Sequence, residues 1–394
     1  MAKQTHDLLK RLTPLYIAAF FQSFVLWYAV EKLFMQSIGF DNTGIGVMIA
    51  VYSTVMLLVE TPSGILADRW SRKGVLILAS IALAISSLLG GISEGIWLYL
   101  VCAITWGIFF ALYSGTYDSI VYDTVYEETG TSNMFEKIYG RVKVIESIAL
   151  VTSSILGGII ANFMDLRSVY MIAVPLAVVA ILPLLIFREP KLHKSEVYQP
   201  IKEHITETFN AILKNRNLLA VLSVLVLTST LLYMLYEFSQ LWLIALSVPT
   251  LFFGVANALL LTSIGTGGFM ASWITARKHI VSIMFIILLL SIVGMIFLRN
   301  TFAVVFAQVL LGTVLTGLTV VFQRLLHDEL SPKIRAGAAS AVSTISRLVI
   351  IPLALLFGYI SSIWSVFNAS WLLFGIALLI VLVVYARSRK NNLL

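Results

Sequence analysis

Three ionisable side chains stand inside long apolar runs of this sequence: Glu31 in WYAVEKLF, Glu237 in YMLYEFSQ and Arg347 in STISRLVI. A carboxylate withdrawn from water holds its proton more tightly, which suits it to proton exchange. An acid beside aromatic faces also suits a lipophilic cation. Glu31 follows Trp27 and Tyr28, Glu237 follows Tyr233 and Tyr236, and the two acids are 206 residues apart. Glu31 has a local alternative, pairing with its neighbour Lys32 at the outer interface. Glu237 has no adjacent base and is the stronger candidate for coupling. Arg347 makes the opposite demand. A guanidinium deep in an apolar helix costs at least ~2.5 kcal/mol on insertion scales, so it calls for a carboxylate or an anionic group on a ligand.

A second group of charges is compressed into TPSGILADRWSRKGVLIL, residues 61–78, where Asp68, Arg69, Arg72 and Lys73 separate two apolar runs. Bases alone anchor a turn at a membrane surface. They do not account for the acid, or for Gly64 one turn earlier. Glu60, Asp118, Asp123 and Glu146 are further acids within or beside apolar stretches, and with Asp68 they can form a charge network that rearranges. Enzymatic parts are missing. The five histidines (His6, His193, His204, His279 and His327) have no metal-ligand spacing, and no Gly-rich phosphate loop appears, so neither a metal, a cofactor nor ATP-driven chemistry is expected. The single cysteine, Cys102, excludes an intramolecular disulfide framework.

The elements that position these groups follow from composition. Of 394 residues, 59% are hydrophobic and only 12% charged, against about 45–50% and about 25% for a soluble domain. Lipid must therefore cover much of the surface. Hydropathy and turn residues predict twelve spans: 14–38, 44–66, 74–93, 95–126, 140–164, 169–187, 218–246, 252–274, 280–298, 301–327, 334–360 and 364–385. Each offers the ~20 residues that a helix needs to cross a bilayer. Barrel-type alternation is lacking, so the fold expected is all-α. The N-terminal run has no cleavage site of small residues and reads as an uncleaved first span.

Counted loop by loop, bases collect on one side, which keeps Arg69, Arg72 and Lys73 and leaves the other only Lys32, Arg167 and Arg299. This asymmetry puts both termini in the cytoplasm. It also makes the net charge of +7 a topology signal rather than a sign of a nucleic-acid partner. The longest polar stretch, REPKLHKSEVYQPIKEHITETFNAILKNRN, spaces Ile201, Ile205, Phe209, Ile212 and Leu213 as an amphipathic surface helix. It divides the chain into a six-helix bundle at 1–188, a linker at 189–216 and a second bundle at 217–394. The halves repeat: IGVMIAVYS answers FGVANALLL, GILAD answers GFMAS, and GGII answers FGYI, at an offset near two hundred residues. Two parallel repeats suit a transporter whose binding site lies between them.

The run Gly64, Asp68, Arg69, Arg72, Lys73, with its degenerate second copy, the twelve spans and the central linker, resembles the signature of the major facilitator superfamily. Ser71 stands where that signature has a second glycine. The resemblance implies alternating access by two pseudo-symmetric bundles, with helices one and seven lining the cavity. It also implies that Asp68 latches against the N-terminus of helix eleven near Ile334–Ala338, where a helix end carries about half a positive charge. Arg69 or Arg72 would then reach Asp123. Drug antiporters of that family carry Gly-Pro and Gly-Gly on helix five; Gly157 and Gly158 match, whereas Ser153 and Ser154 replace Gly-Pro. Aromatic candidates for substrate contact are Phe24, Trp27, Tyr28, Tyr113, Tyr117, Tyr233 and Tyr236. They favour proton-coupled efflux of hydrophobic or cationic small molecules by a monomer in the cytoplasmic membrane, its partners being the substrate, protons and the lipid bilayer. A proton-coupled importer or facilitator of a small metabolite is the alternative, and a non-transporting receptor or scaffold is an alternative of another class. Asp68→Asn is expected to abolish or severely impair transport in cells while insertion stays intact, whereas normal transport by a well-expressed variant excludes the latch.

Overall fold

The computed structural model describes the backbone of residues 2–191, 216–274, 278–329 and 332–388. Among the described residues twelve helices are long and apolar enough to cross a membrane, and no strand occurs. They are α1 (Asp7–Ser37), α2 (Asn42–Arg69), α3 (Arg72–Ile92), α4 (Ile96–Thr129), α5 (Phe135–Phe163) and α6 (Leu166–Ile186), then α7 (Leu218–Phe238), α8 (Thr250–Ala271), α9 (Ile280–Phe297), α10 (Thr301–Leu326), α11 (Ala341–Ile363) and α12 (Val366–Ala386). The expected amphipathic linker helix lies outside the described residues.

Packing defines two compact units. The first comprises Met1–Phe40, Val51–Val197 and Pro249–Ala258, and the second comprises Asp41–Ala50, Tyr198–Val248 and Leu259–Leu394. They differ from the division by sequence at two short helical segments, each drawn in by small residues. In the second unit a Cβ at Gly46 would lie 2.5 Å from the carbonyl oxygen of Ala354, and in the first a Cβ at Gly158 would lie 2.7 Å from the amide of Gly254. Small residues let helix backbones approach this closely in lipid, where packing rather than water exclusion drives association.

Within the first unit, α1 is not continuous. It gives way after Ser23 to a 3₁₀ turn at Leu26–Val30 and resumes at Glu31–Ser37. α5 packs directly on that turn, since a Cβ at Gly157 would sit 2.0 Å from the carbonyl oxygen of Leu26. α4 breaks at Ser114 and Gly115, the latter at φ 72°, a left-handed conformation that suits glycine. The core of this unit joins Leu8, Leu12 and Leu15 of α1 to Tyr117, Ile120 and Val121 of α4. Asp165 caps α6, and hydrogen bonds from the backbone and hydroxyl of Ser168, at 2.7 and 2.9 Å, hold its carboxyl below the usual carboxylate range. In the second unit α7 stops at Phe238, short of the predicted end, and a separate helix, Gln240–Ala245, follows. The Trp242 indole N–H closes onto the carbonyl of Met295 at 3.1 Å.

Gly157→Ala is expected to destabilise the protein by about 1–3 kcal/mol through overpacking against Leu26. The check is melting in detergent, with Gly140→Ala, where a Cβ meets nothing within 4 Å, as the control that leaves the transition in place.

Candidate functional site

The turn between α2 and α3 carries the first constellation. Arg72 donates to Asp123 on α4 in a very short ion pair, to Asp68 at 3.1 Å and to the carbonyl of Ser119 at 3.0 Å. Of the two bases offered by the sequence, Arg72 is the one that reaches the α4 acid. Ser71, the departure from the glycine signature, caps α3. Its hydroxyl oxygen accepts from Gly74 N–H at 2.8 Å, and its O–H donates to the Glu189 carboxylate at 2.7 Å. Lys73 donates from Nζ to the carbonyls of Leu185 and Phe187, both at 3.0 Å, at the end of α6. Arg11 adds a neighbouring node, paired with Glu127 at 3.2 Å and Glu128 at 2.5 Å. Glu189 and the Arg11 pairs were not singled out from sequence, because their partners lie more than a hundred residues away. Glu60 is half-buried on α2; the Ser63 hydroxyl lies 2.8 Å from its backbone carbonyl but closer, at 2.7 Å, to the carbonyl of Ala111 on α4, to which it donates. The side chains of Ile334–Ala338, the expected seat of Asp68, lie outside the described residues.

A second cluster sits where α1 resumes. Glu31 and Lys32 form a very short ion pair, and both are buried, at 4% and 1% exposure. Lys32 is therefore an interior residue and not part of a loop, as the count of bases by loop had it. The Tyr99 hydroxyl donates to Glu31 at 3.2 Å and lies 2.8 Å from the hydroxyl of Tyr170. Trp27 stacks on Tyr170 with centroids 5.1 Å apart, and its N–H donates to Ser87 at 3.1 Å. This ring is enclosed by its own unit. Two charges removed from water need close pairing and further hydrogen bonds to break even, and the tyrosine pair provides part of that.

From Trp27 an aromatic column descends α4 through Trp106, Phe109, Tyr113 and Tyr117, with successive centroids 4.7 to 5.6 Å apart. The hydroxyl of Tyr113 donates to Glu146 on α5, which also pairs with Lys143 at 3.0 Å. Tyr117 donates to the carbonyl of Leu15. Phe24 packs on Phe20 at 5.3 Å, and Tyr28 is half-buried beside Trp27 in the 3₁₀ turn. Asp118 opens the α4 segment after the break.

The second unit holds a cavity of about 300 Å³ between α7, α10 and α11, lined by Tyr233, Ser229, Thr319, Gln323, Ser346 and Arg347 among others. The Arg347 guanidinium lies 5.8 Å from the Tyr233 ring centroid. Its Nε is buried with no hydrogen-bond partner among the described residues, as are the hydroxyls of Ser346 and Thr319. Tyr236 turns elsewhere, its hydroxyl 3.0 Å from that of Ser263. Glu237, 7% exposed, lies one helical turn beyond Tyr233 on α7. Depth and sequence context pointed to Arg347 and Tyr233, but nothing in a serine or threonine of an apolar helix announced Ser346 or Thr319.

Twelve spans in two helical units, with ionisable groups buried inside them, define a polytopic membrane protein. The chain belongs to the Major Facilitator Superfamily, whose family model matches residues 12–298. It is similar to the tetracycline resistance protein, class H, of Pasteurella multocida, 24% identical over 164 residues. That match covers 42% of this chain and 40% of the relative's length. Among solved structures, a single-residue mutant of the nucleoside transporter NupG superposes with a TM-score of 0.79 at 17% identity, over 95% of this chain and 99% of that one. A bacterial homolog of the human lysosomal transporter Spinster, inward-facing and occupied, gives 0.78 at 14% identity, over 98% and 97%. These likenesses establish the fold.

Breaking the buried pair from one side is expected to be costly. Lys32→Met leaves the Glu31 charge in the interior and should destabilise by about 3–5 kcal/mol, whereas Glu31→Gln/Lys32→Met should recover most of that loss. Thermal unfolding of the purified variants checks this, and equal stability of the single and double variants contradicts it.

Proposed function

We propose that the chain is a proton-coupled secondary transporter that exports hydrophobic small molecules across the cytoplasmic membrane as a monomer, with both termini inside. The observation that carries this reading is the placement of two buried carboxylates beside interruptions of their helices, Glu31 after the break in α1 and Glu237 before the break in α7. Intramembrane acids are rare and mark ion pathways, and interrupted helices mark binding sites in transporter repeats. Glu237 is the coupling carboxylate in this reading, with Glu31 its counterpart in the other repeat. The bundles at 1–188 and 217–394, joined by the linker 189–216, would rock against each other while Asp68, Arg69, Arg72 and Asp123 rearrange. Export is favoured by the likeness to the tetracycline resistance protein.

A second reading, proton-coupled import of a small metabolite, is favoured by one observation: the cavity around Arg347 presents a guanidinium and no carboxylate. That feature also argues against a cationic substrate at this place.

Proteoliposomes with an imposed pH gradient test the proposal. Glu237→Gln should abolish gradient-driven substrate accumulation while leaving exchange of labelled substrate down its own gradient. Accumulation in the same direction as proton flow establishes the import reading, and unchanged pH dependence in Glu237→Gln removes Glu237 from the mechanism.

A further inference from the structure

We infer that the cavity around Arg347 is a recognition site for the oxyanion head of a small planar organic acid, a carboxylate on an aromatic body. The inference rests on the reading of the chain as a transporter but not on its direction or coupling ion.

Of the buried donors that lack partners among the described residues, three belong to residues lining this one cavity: Nε of Arg347 and the hydroxyls of Ser346 and Thr319. Ser346 is only 6% exposed, so bulk water reaches it poorly. A buried donor left unmade costs about 1–3 kcal/mol, and three around one space imply that something else completes them. The chemistry of the lining says what. Arginine has donors and no acceptor, and among the lining residues there is no Asp or Glu to neutralise it. The complementary ligand therefore brings acceptor oxygens and negative charge. A planar two-oxygen group matches the fork of a guanidinium best.

The rest of the cavity sets the body of the ligand. Tyr233 offers a ring face with the guanidinium above it at 5.8 Å, and a flat ligand ring can share that face. Leu225, Leu326 and Ile350 close the apolar wall. A volume of about 300 Å³ is at the lower end for ligand sites and suits one or two fused rings.

Calorimetric titration of the purified, detergent-solubilised full chain with three isosteric probes tests the assignment: 2-naphthoate, neutral 2-naphthamide and cationic 2-naphthylmethylammonium. The anion should bind at least about 10-fold more tightly than the amide, the worth of a hydrogen bond to a charged group, and the ammonium should bind most weakly. Arg347→Gln should erase this order while leaving amide binding in place. The variant removes an uncompensated charge from the membrane and is expected to fold. Arg347→Lys should keep part of the preference, because charge survives but the planar fork does not. Ser346→Ala/Thr319→Val should weaken naphthoate selectively, which a packing defect would not do. No binding of any probe, equal affinities in the unaltered protein, or an anion preference that persists in Arg347→Gln overturns the inference. Because the titration has no pH gradient, it can succeed while gradient-driven transport fails, and the reverse, so the two proposals fall separately.

Discussion

A bilayer offers no hydrogen-bond partners, so each backbone group inside it must be satisfied by the protein. This constraint governs the structure more than any single contact. It forces the twelve spans into helices, and it restricts where a helix can be interrupted. The break in α4 frees the carbonyl of Ala111, which would otherwise accept from residue 115, and the hydroxyl of Ser63 on α2 donates to it at 2.7 Å. At the break after α7 the side chain of Gln308 on α10 donates to the carbonyl of Ser239 at 3.1 Å. In α1, where the 3₁₀ turn replaces α-helix, Gly157 admits the carbonyl of Leu26 against α5. Polar side chains otherwise out of place in lipid, Ser63 and Gln308, are thereby explained: each completes an interruption, and the interruptions are where ionisable groups gather.

The same constraint sorts the charges. At the α2–α3 turn, Arg72, Asp68, Asp123, Ser71 and Glu189 satisfy one another at a helix end, with the Lys73 ammonium on the last carbonyls of α6, where a cation is favoured by the helix dipole. A network of this kind holds helix ends in register with the Arg72 charge matched by two carboxylates, although its Nε is left without a partner among the described residues. Ser71 replaces a residue whose conformational freedom the signature normally uses. The cap and the Glu189 bond that it makes show that the turn here is held by side-chain contacts rather than by backbone permissiveness.

What was legible in the sequence divides along physical lines. Spans were legible because hydropathy is a local property, and Arg72–Asp123 was legible because motif spacing and the resemblance gave both partners. Arg347 was legible from depth alone. The interruptions were not. Trp-Tyr-Ala-Val and Tyr-Ser-Gly-Thr read as uninterrupted apolar helix or as ordinary small-residue variation, and only the neighbours that supply hydrogen bonds make a break possible. Those neighbours lie far away in sequence. Glu189, Arg11, Ser346 and Thr319 were missed for the same reason, since a contact between distant parts of the chain leaves no periodic trace. The Glu31–Lys32 pair is the instructive intermediate. Adjacency suggested pairing, but burial was settled by Tyr99, Tyr170 and Trp27 arriving from other segments.

The two units therefore meet the cost of charge within their spans differently. In the first, Glu31 and Lys32 neutralise each other, and a tyrosine hydroxyl completes the carboxylate. In the second, Arg347 has a tyrosine face at 5.8 Å, and no carboxylate lies within ion-pair distance among the described residues. A cation over an aromatic face recovers about 0.5–2 kcal/mol, less than the ~2.5 kcal/mol or more that a central arginine costs. The deficit sits on the wall of the cavity between α7, α10 and α11, which is where a ligand can make it up. On the proposed reading of this cavity, a charge that the chain leaves without a carboxylate keeps its binding free energy for whatever enters. That arrangement would suit a transporter, since a transport site must be better satisfied occupied than empty.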